Sequence, residues 1–494
     1  MSELMDIIKD PTMDYQQRCI ALAKYAENLE DHIVLSDRTK YFQEKQVVTA
    51  MGEGASPYRP RYVTMDFEKF FAQGSKFLEL EPPKDIWEAV SDLMIIYHHI
   101  PGVTMQPVYI GHLDRLLEPF YTTYEETKRA VKMLLMHLDR TIPDSFCHCD
   151  IGPKDTRVGR IILELSAEMQ RPVPNMSLIY NEETPDDFAL EAIKTGLITA
   201  KPSFVNDAMY RKEWGSNYCI ASCYNVLPVG GGGYTLGRMN LRYLEEITHS
   251  REELMGGLLK EAVLCECEII DKRIQFIVDD CHFFENSFLA EEGLISRDKF
   301  VGMFGIVGLA ELVNGVLHAE KQEDRYGTGE EANTFGEQIL DVIHETVASY
   351  QPKYGKIFMH GQVGISTDVG TTPNVRVPVG EEPEFYQHLA VTARMQKNFE
   401  TGVGDLFPFD ATAKKNPQAV LDVIKGAFAM NMRYFSFYSK DTDVIRVTGY
   451  LVKLSEIEEY NKGKAVLDNT TNFGSGAKEG LKIMQRKVRG FEYA

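Results

Sequence analysis

The sequence predicts an α/β protein folded as one integrated catalytic domain with a helical N-terminal layer. Three observations carry that expectation. With 44% apolar and 26% charged residues in 494, the composition is that of a globular chain and excludes disorder. From Val158 onward, stretches with helical apolar spacing alternate with short strand-like runs, the pattern of α/β architecture. No solenoid-length repeat recurs, and no Gly/Ser or Pro linker separates independent modules.

The elements follow in chain order. Roughly the first hundred residues are rich in helix formers, and Trp87 to Tyr97 places apolar residues three and four apart, as one face of a helix requires. Helical character continues from Tyr124 to Leu138 and breaks at Pro143 and the Cys147-His148-Cys149 segment. Met176 to Tyr180, Tyr218 to Ala221 and Ile274 to Val278 are strand-like. Phe300 to Leu317 is the most membrane-like stretch, but Glu311, Asn314 and four glycines interrupt it, so a buried helix is expected. Val444 to Val447 and Tyr450 to Val452 have strand composition on either side of Gly449.

The formal net charge of −20 argues against nucleic acid or an anionic membrane as partner, since either needs a basic face. It leaves room for a small anionic substrate held by local charge. The N-terminal MSELMDIIKD lacks the basic and apolar regions of a signal peptide, and eight cysteines are too few for a disulfide scaffold. A soluble cytoplasmic protein is expected.

Among candidate chemical groups, Cys147/Cys149 and Cys265/Cys267 lack the CxxC spacing of a zinc knuckle and are expected to be buried thiols. The Gly230–Gly233 run has neither the Lys and Ser/Thr of a P-loop nor the GxGxxG spacing of a dinucleotide site, and is expected to form a loop near Cys223. Cys219 and Cys223 lie in Asn217-Tyr-Cys-Ile-Ala-Ser-Cys-Tyr-Asn225, a strand entering a turn. Gly449 interrupts Asp443-Val-Ile-Arg-Val-Thr-Gly-Tyr-Leu-Val452, where a bulge or a close backbone contact is the ordinary explanation. Glycine has another property: with no side chain, a radical on its Cα can be planar and delocalised between the flanking amide and carbonyl. His360, His388, Asp410, Arg376, Arg238 and Glu266 are expected in structural roles, with Glu266 on a solvated or partly buried helix face and the two arginines also able to hold an acidic substrate.

Five blocks in order resemble the glycyl radical enzymes. Arg446-Val-Thr-Gly-Tyr450 resembles their glycyl radical motif, and Asn217 to Asn225 their active-site cysteine loop. Pro202-Ser-Phe-Val-Asn-Asp207 resembles the block before that loop, and Pro174-Asn-Met-Ser-Leu178 with Thr184-Pro-Asp-Asp-Phe188 the unit leading into it. Gly111-His-Leu-Asp114 with Pro119-Phe-Tyr121 resembles their N-terminal segment.

The resemblance implies a ten-stranded α/β barrel of two five-stranded halves, with two finger loops meeting inside. On this chain it implies a helical layer over 1–150, the barrel core with the cysteine loop over 151–430, and the glycyl radical region over 431–494. Gly449 is then expected to store the radical and Cys223 to become the thiyl residue that abstracts hydrogen from a small organic substrate. No cofactor is expected to be bound permanently. The glycyl radical is a post-translational modification, installed by a separate activating enzyme that uses S-adenosylmethionine and an iron–sulfur cluster. Oxygen sensitivity and a homodimer are further expectations.

Departures from the family patterns narrow the reaction. Formate lyases carry two adjacent cysteines, whereas Ser222 precedes Cys223 here. Diol dehydratases and their relatives carry Glu two residues after the cysteine, where this chain has Asn225, which cannot accept a proton. Asn461-Lys-Gly-Lys464 and Phe304-Gly-Ile-Val-Gly-Leu309 with Glu311 resemble anaerobic ribonucleotide reductases. Their four-cysteine zinc site before the glycine loop cannot be built, because the last cysteine is Cys281. The pattern is most similar to the short YjjI-type family, with a reductase-like or formate-lyase-like activity, or an idle scaffold, as alternatives.

Overall fold

In the computed structural model the described residues are 3–29, 33–50, 58–142, 146–248, 250–362, 370–447, 449–467 and 481–491. Their strands are β1 Val48–Ala50, β2 Tyr62–Thr64, β3 His148–Ile151, β4 Asn175–Tyr180, β5 Ser203–Asn206, β6 Tyr218–Ala221, β7 Asn225–Pro228, β8 Gly231–Asn240, β9 Phe300–Val307, β10 Ile357–His360, β11 Asp405–Phe409, β12 Tyr434–Ser439, β13 Val444–Val447 and β14 Tyr450–Lys453.

Ten of these form two five-stranded sheets. In the first, β1 and β2 pair antiparallel with β8, and β8, β9 and β10 run parallel. The second has the order β11-β12-β5-β4-β3, parallel throughout except between β12 and β5. These are the two halves of the ten-stranded barrel. The remaining strands make two antiparallel hairpins, β6–β7 and β13–β14, outside both sheets.

Burial explains why these strands carry continuous apolar runs in place of alternation. Every residue of β8, β9, β11 and β12 is buried, as expected for parallel strands covered by helices on one face and by packed side chains on the other. The covering helices start where side-chain caps permit. Asp85 caps Ile86–Tyr97, Thr123 caps Tyr124–Thr141 and Thr156 caps Arg157–Met169, each accepting from a first-turn N–H.

Several expectations are corrected. Phe300–Leu317 is not one helix: β9 occupies Phe300–Val307, and a helix follows over Leu309–Ala319. Gly308 between them adopts φ 81°, a left-handed conformation that ends the strand and turns the chain. Ile274–Val278 is helical, because Ile270, Ile274, Ile277 and Val278 continue the buried stripe of the helix Leu259–Gln275. The first 150 residues are not helix alone, since β1, β2 and most of β3 come from them; the three-residue strands β1 and β2 are too short to show a period. The break at the Cys147 segment leads into β3. The Gly230–Gly233 run enters β8 between its partners β2 and β9 and forms no independent loop. Pro143 lies outside the described residues. Among the described residues, no helix is long and apolar enough to cross a membrane.

Candidate active site

The two free-standing hairpins carry the candidate residues, and both sheets hold them. Thr64 Oγ1 at the end of β2 donates to Pro228 O at 2.7 Å, and Tyr224 Oη donates to Gly361 O just after β10 at 2.5 Å. From the second sheet, Asp150 in β3 accepts from Ile220 N at 2.8 Å, fastening the base of the cysteine hairpin.

In the β6–β7 hairpin Ala221 pairs with Asn225, leaving residues 222–224 as the turn. Ser222 takes φ 61°, a left-handed conformation strained for a residue with a side chain. Its backbone is correspondingly pinned. Ser222 N donates to Val108 O at 2.8 Å, and Ser222 O accepts from Asn175 Nδ2 at 3.1 Å and from His148 Nδ1 at 3.0 Å. Contacts between neutral groups extend from there: Ser177 Oγ lies 2.9 Å from His148 Nε2 and 2.8 Å from Tyr434 Oη, its single proton serving one of the two, while Tyr434 Oη donates to Cys223 O at 2.8 Å. Burial pushes His148 down to about 3, so its ring is neutral. It also pushes the Tyr434 phenol up. Cys223, at the apex, is buried.

In the β13–β14 hairpin Val447 pairs with Tyr450, so Gly449 belongs to a two-residue turn whose other member, Thr448, lies outside the described residues. The apex of this hairpin meets the apex of the other. A Cβ placed on Gly449 would stand 2.5 Å from Cβ and 2.8 Å from Sγ of Cys223, and 3.5 Å from Cε1 of Tyr224. Only glycine fits there.

One amide clamps both apices. Asn175 Nδ2 donates to Ser222 O and, at 3.2 Å, to Gly449 O, while its Oδ1 accepts from Arg446 Nη2 at 3.0 Å. Arg446 Nη1 also donates to Gly449 O at 3.2 Å, and Nη2 to Ala200 O at 2.9 Å. Arg446 is buried, and its hydrogen-bond partners are neutral oxygens, with no carboxylate among the described residues. Burial therefore pushes its guanidinium down from the usual range.

The other residues singled out in the sequence fall into place around this centre or away from it. Asn225 Nδ2 donates to Ala221 O at 2.9 Å and to Cys223 Sγ at 3.4 Å. Cys219 Sγ donates to Leu227 O at 3.5 Å within the hairpin, away from the apex, and burial drives its thiol well up. His360 stacks on Tyr224 with ring centroids 5.6 Å apart and contacts Thr401 O through Nδ1 at 2.9 Å. His388 pairs with Asp405 at 3.1 Å, Asp410 accepts from Thr412 N at 2.8 Å, and Arg376 donates to Gly404 O at 3.0 Å. Cys147, Cys149, Cys265 and Cys267 are buried and not joined in disulfides. Among the described residues no group of three His, Cys, Asp or Glu side chains could hold a metal ion.

Glu266 is the clearest departure. It is fully buried, and its two oxygens accept from Thr49 N in β1 at 2.9 Å and Arg238 N in β8 at 3.0 Å. Burial pushes its carboxyl up to about 8. His148 and Tyr434 were not foreseen, because nothing in their local sequence separates them from other buried polar residues. Asn175, Ser177 and Arg446 lay inside the recognised blocks, which marked their neighbourhoods without assigning them a task.

Residues 13–489 match the sequence pattern of the family described as "Glycyl radical enzyme YjjI-like". An uncharacterized protein of Haemophilus influenzae is 41% identical over 501 aligned positions, covering 99% of this chain and 98% of its own. The uncharacterized protein YjjI of Escherichia coli is 40% identical, covering 98% and 95%. Among solved structures, the anaerobic ribonucleotide reductase of Thermotoga maritima superposes with TM-score 0.73 at 13% identity over 93% of this chain and 94% of its own. Hydroxyproline dehydratase of Clostridioides difficile gives 0.66 at 13% identity, over 99% and 88%. The B12-independent glycerol dehydratase of Clostridium butyricum gives 0.60 at 14%, over 83% and 68%. At these identities the structural likeness establishes the fold.

Proposed function

This chain belongs to the YjjI-like family of glycyl radical enzymes, and from that premise we propose that Gly449 stores the radical and Cys223 carries it to a small organic substrate. The observation that supports this reading is the meeting of the two hairpin apices, with the Gly449 backbone so close to the Cys223 thiol that no side chain fits between them.

The chemistry is hydrogen-atom transfer. The Cα radical of Gly449 takes the hydrogen of the Cys223 thiol, so an S–H bond breaks, a Cα–H bond forms and the unpaired electron moves to sulfur. The thiyl then takes a hydrogen atom from a substrate C–H bond. When the product radical recovers that hydrogen from Cys223, the thiyl retrieves its own from Gly449 and the cycle closes without net electron loss. Such transfers need a thiol and not a thiolate. Burial of both apices keeps water and oxygen from the radical.

Activation by a separate enzyme carrying S-adenosylmethionine and an iron–sulfur cluster belongs to the proposal, as do oxygen sensitivity, a cytoplasmic site of action and a homodimeric assembly. Ser222 beside Cys223 disfavours acyl capture by a neighbouring thiol, and an amide at Asn225 disfavours dehydration through a base at that position. The test is anaerobic electron paramagnetic resonance after incubation with the activating enzyme, reductant and S-adenosylmethionine. A doublet whose main splitting collapses when the protein is grown on α-deuterated glycine, and which is missing from Gly449→Ala, is expected. An intact doublet in Gly449→Ala would refute the assignment, and silence in the wild type with a competent activator would favour an idle scaffold.

A further inference from the structure

Three buried polar atoms on residues in or against the cysteine turn have no hydrogen-bond partner among the described residues: Ser222 Oγ, Asn225 Oδ1 and Arg376 Nη1. Their side chains belong to residues 0%, 1% and 2% exposed. A folded chain leaves few such atoms unmatched unless something else fills the place. Asn225 Oδ1 lies close to the sulfur, because Nδ2 of the same planar amide is 3.4 Å from Sγ.

Arg376 is anchored next to the cysteine turn through Gly404. Its Nε is committed to Gly404 O at 3.0 Å. Gly404 in turn packs directly on the turn, since a Cβ there would stand 3.0 Å from the Tyr224 ring and 3.2 Å from that of Tyr434. The guanidinium interacts electrostatically with both Tyr224 and Cys223.

Its counter-charge is incomplete. Asp405 Oδ1 is 3.5 Å from Arg376 Nε, but the same oxygen is 2.8 Å from Arg486 Nη1, and Asp405 Oδ2 is 3.1 Å from His388 Nε2. Arg446, the other guanidinium acting on the thiol, meets neutral oxygens alone among the described residues. Two buried guanidiniums thus act on the thiol, Arg446 without a carboxylate and Arg376 sharing Asp405 with Arg486, which Glu382 also meets at 3.3 Å, inside a chain whose net charge is −20. Water can satisfy a hydroxyl or an amide oxygen, but it does not neutralise a guanidinium.

We infer that these groups are the recognition end of the substrate site and that the substrate is a small organic acid. Arg376 Nη1 takes its carboxylate, and Asn225 Oδ1 takes a hydroxyl or amino hydrogen on the neighbouring carbon, which sets that carbon's C–H bond beside Cys223 Sγ. With Nε committed to Gly404 O, Arg376 offers one edge, which suits a singly charged carboxylate better than a phosphate dianion. The inference rests on Cys223 being the thiyl residue.

The experiment is anaerobic titration calorimetry on the full-length, unactivated protein with glycolate, lactate and alanine, each compared with its amide. At least one acid is expected to bind about tenfold or more tightly than its amide, the margin of a charged contact in a buried site. Arg376→Gln should erase the preference and Arg376→Lys should keep part of it. Because Arg376→Gln also disturbs Asp405, Asn225→Asp provides a second reading: it preserves volume, places a negative charge beside the sulfur and should weaken the acid while sparing the amide. Acids and amides binding equally, no binding by any of them, or a preference that survives both Arg376→Gln and Asn225→Asp overturns the inference. A glycine doublet in activated protein together with no acid preference removes this site and leaves radical storage on Gly449 standing. An acid preference with no doublet removes the radical storage and leaves an acid-binding barrel.

Discussion

Gly449 is required by its neighbour: alanine there would have to place a Cβ 2.5 Å from that of Cys223. Gly449→Ala should therefore push the two apices apart as well as remove the unhindered Cα–H. The expected result is no doublet and a loss of about 1–3 kcal/mol in urea unfolding, the range for overpacking a filled interior. Cys223 carries the complementary prediction. In D2O its thiol becomes S–D, and reversible transfer to Gly449 replaces the glycine's remaining hydrogen, so the wild-type doublet should collapse to a narrow line without any substrate present. In Cys223→Ser the doublet should form and persist, because a hydroxyl O–H bond is too strong for a glycine radical to break. A doublet that collapses equally fast in Cys223→Ser would remove this thiol from the pathway.

At the level of elements, the apices are aligned by side chains from a sheet and not by their own strands. Asn175 in β4 reaches both Ser222 O and Gly449 O, so Asn175→Ala should leave both hairpins folded but slow the D2O collapse of the doublet by about tenfold or more, the scale on which small misplacements act. The helix Leu259–Gln275 makes a comparable connection in the first half-barrel, where Glu266 caps N–H groups of β1 and β8. Its carboxyl is raised to about 8 in the fold, above its unfolded value. Between roughly pH 4.5 and 8 the folded state thus holds a proton that the unfolded state has released, and stability falls as pH rises, by at most about 1.4 kcal/mol per unit from this group. Urea unfolding from pH 5 to 8 should show Glu266→Gln losing less stability than the wild type; equal slopes would place this carboxyl's titration elsewhere. The hairpins could be read from sequence because Tyr218–Ala221 and Val444–Val447 are short β-rich runs closed by tight turns. The β9 strand and its following helix could not be separated, since a strand buried on both faces and a buried helix are both continuous apolar runs. Glu266 was misjudged because helical spacing records its own helix and not the strand edges that cover it. His148, Ser177 and Tyr434 come into contact only through the strand order β12-β5-β4-β3, which residue spacing does not contain.

Across the whole molecule, two hairpins more than two hundred residues apart in sequence are enclosed by two half-barrels, and their buried apices share one set of side-chain contacts. That enclosure is not uniformly strong. The half-barrels are five-stranded sheets with helices packed on them, whereas β13–β14 is a two-stranded ribbon whose apex is held by Asn175 and Arg446. A two-stranded ribbon has little stability of its own, so opening it locally should cost less than unfolding the barrel. If Gly449 stores the radical as proposed, oxygen would report the difference, because addition of oxygen to a radical at that Cα would cleave the chain there. Activated protein exposed to air should yield a fragment ending at the 448/449 boundary by mass spectrometry, while unactivated protein stays intact. The cleavage rate should rise in urea well below the midpoint of global unfolding, with a weaker urea dependence than the unfolding equilibrium, because less surface is exposed when the ribbon alone swings out. Cleavage that accelerates only in step with global unfolding would mean that the glycine hairpin opens with the barrel and not from it.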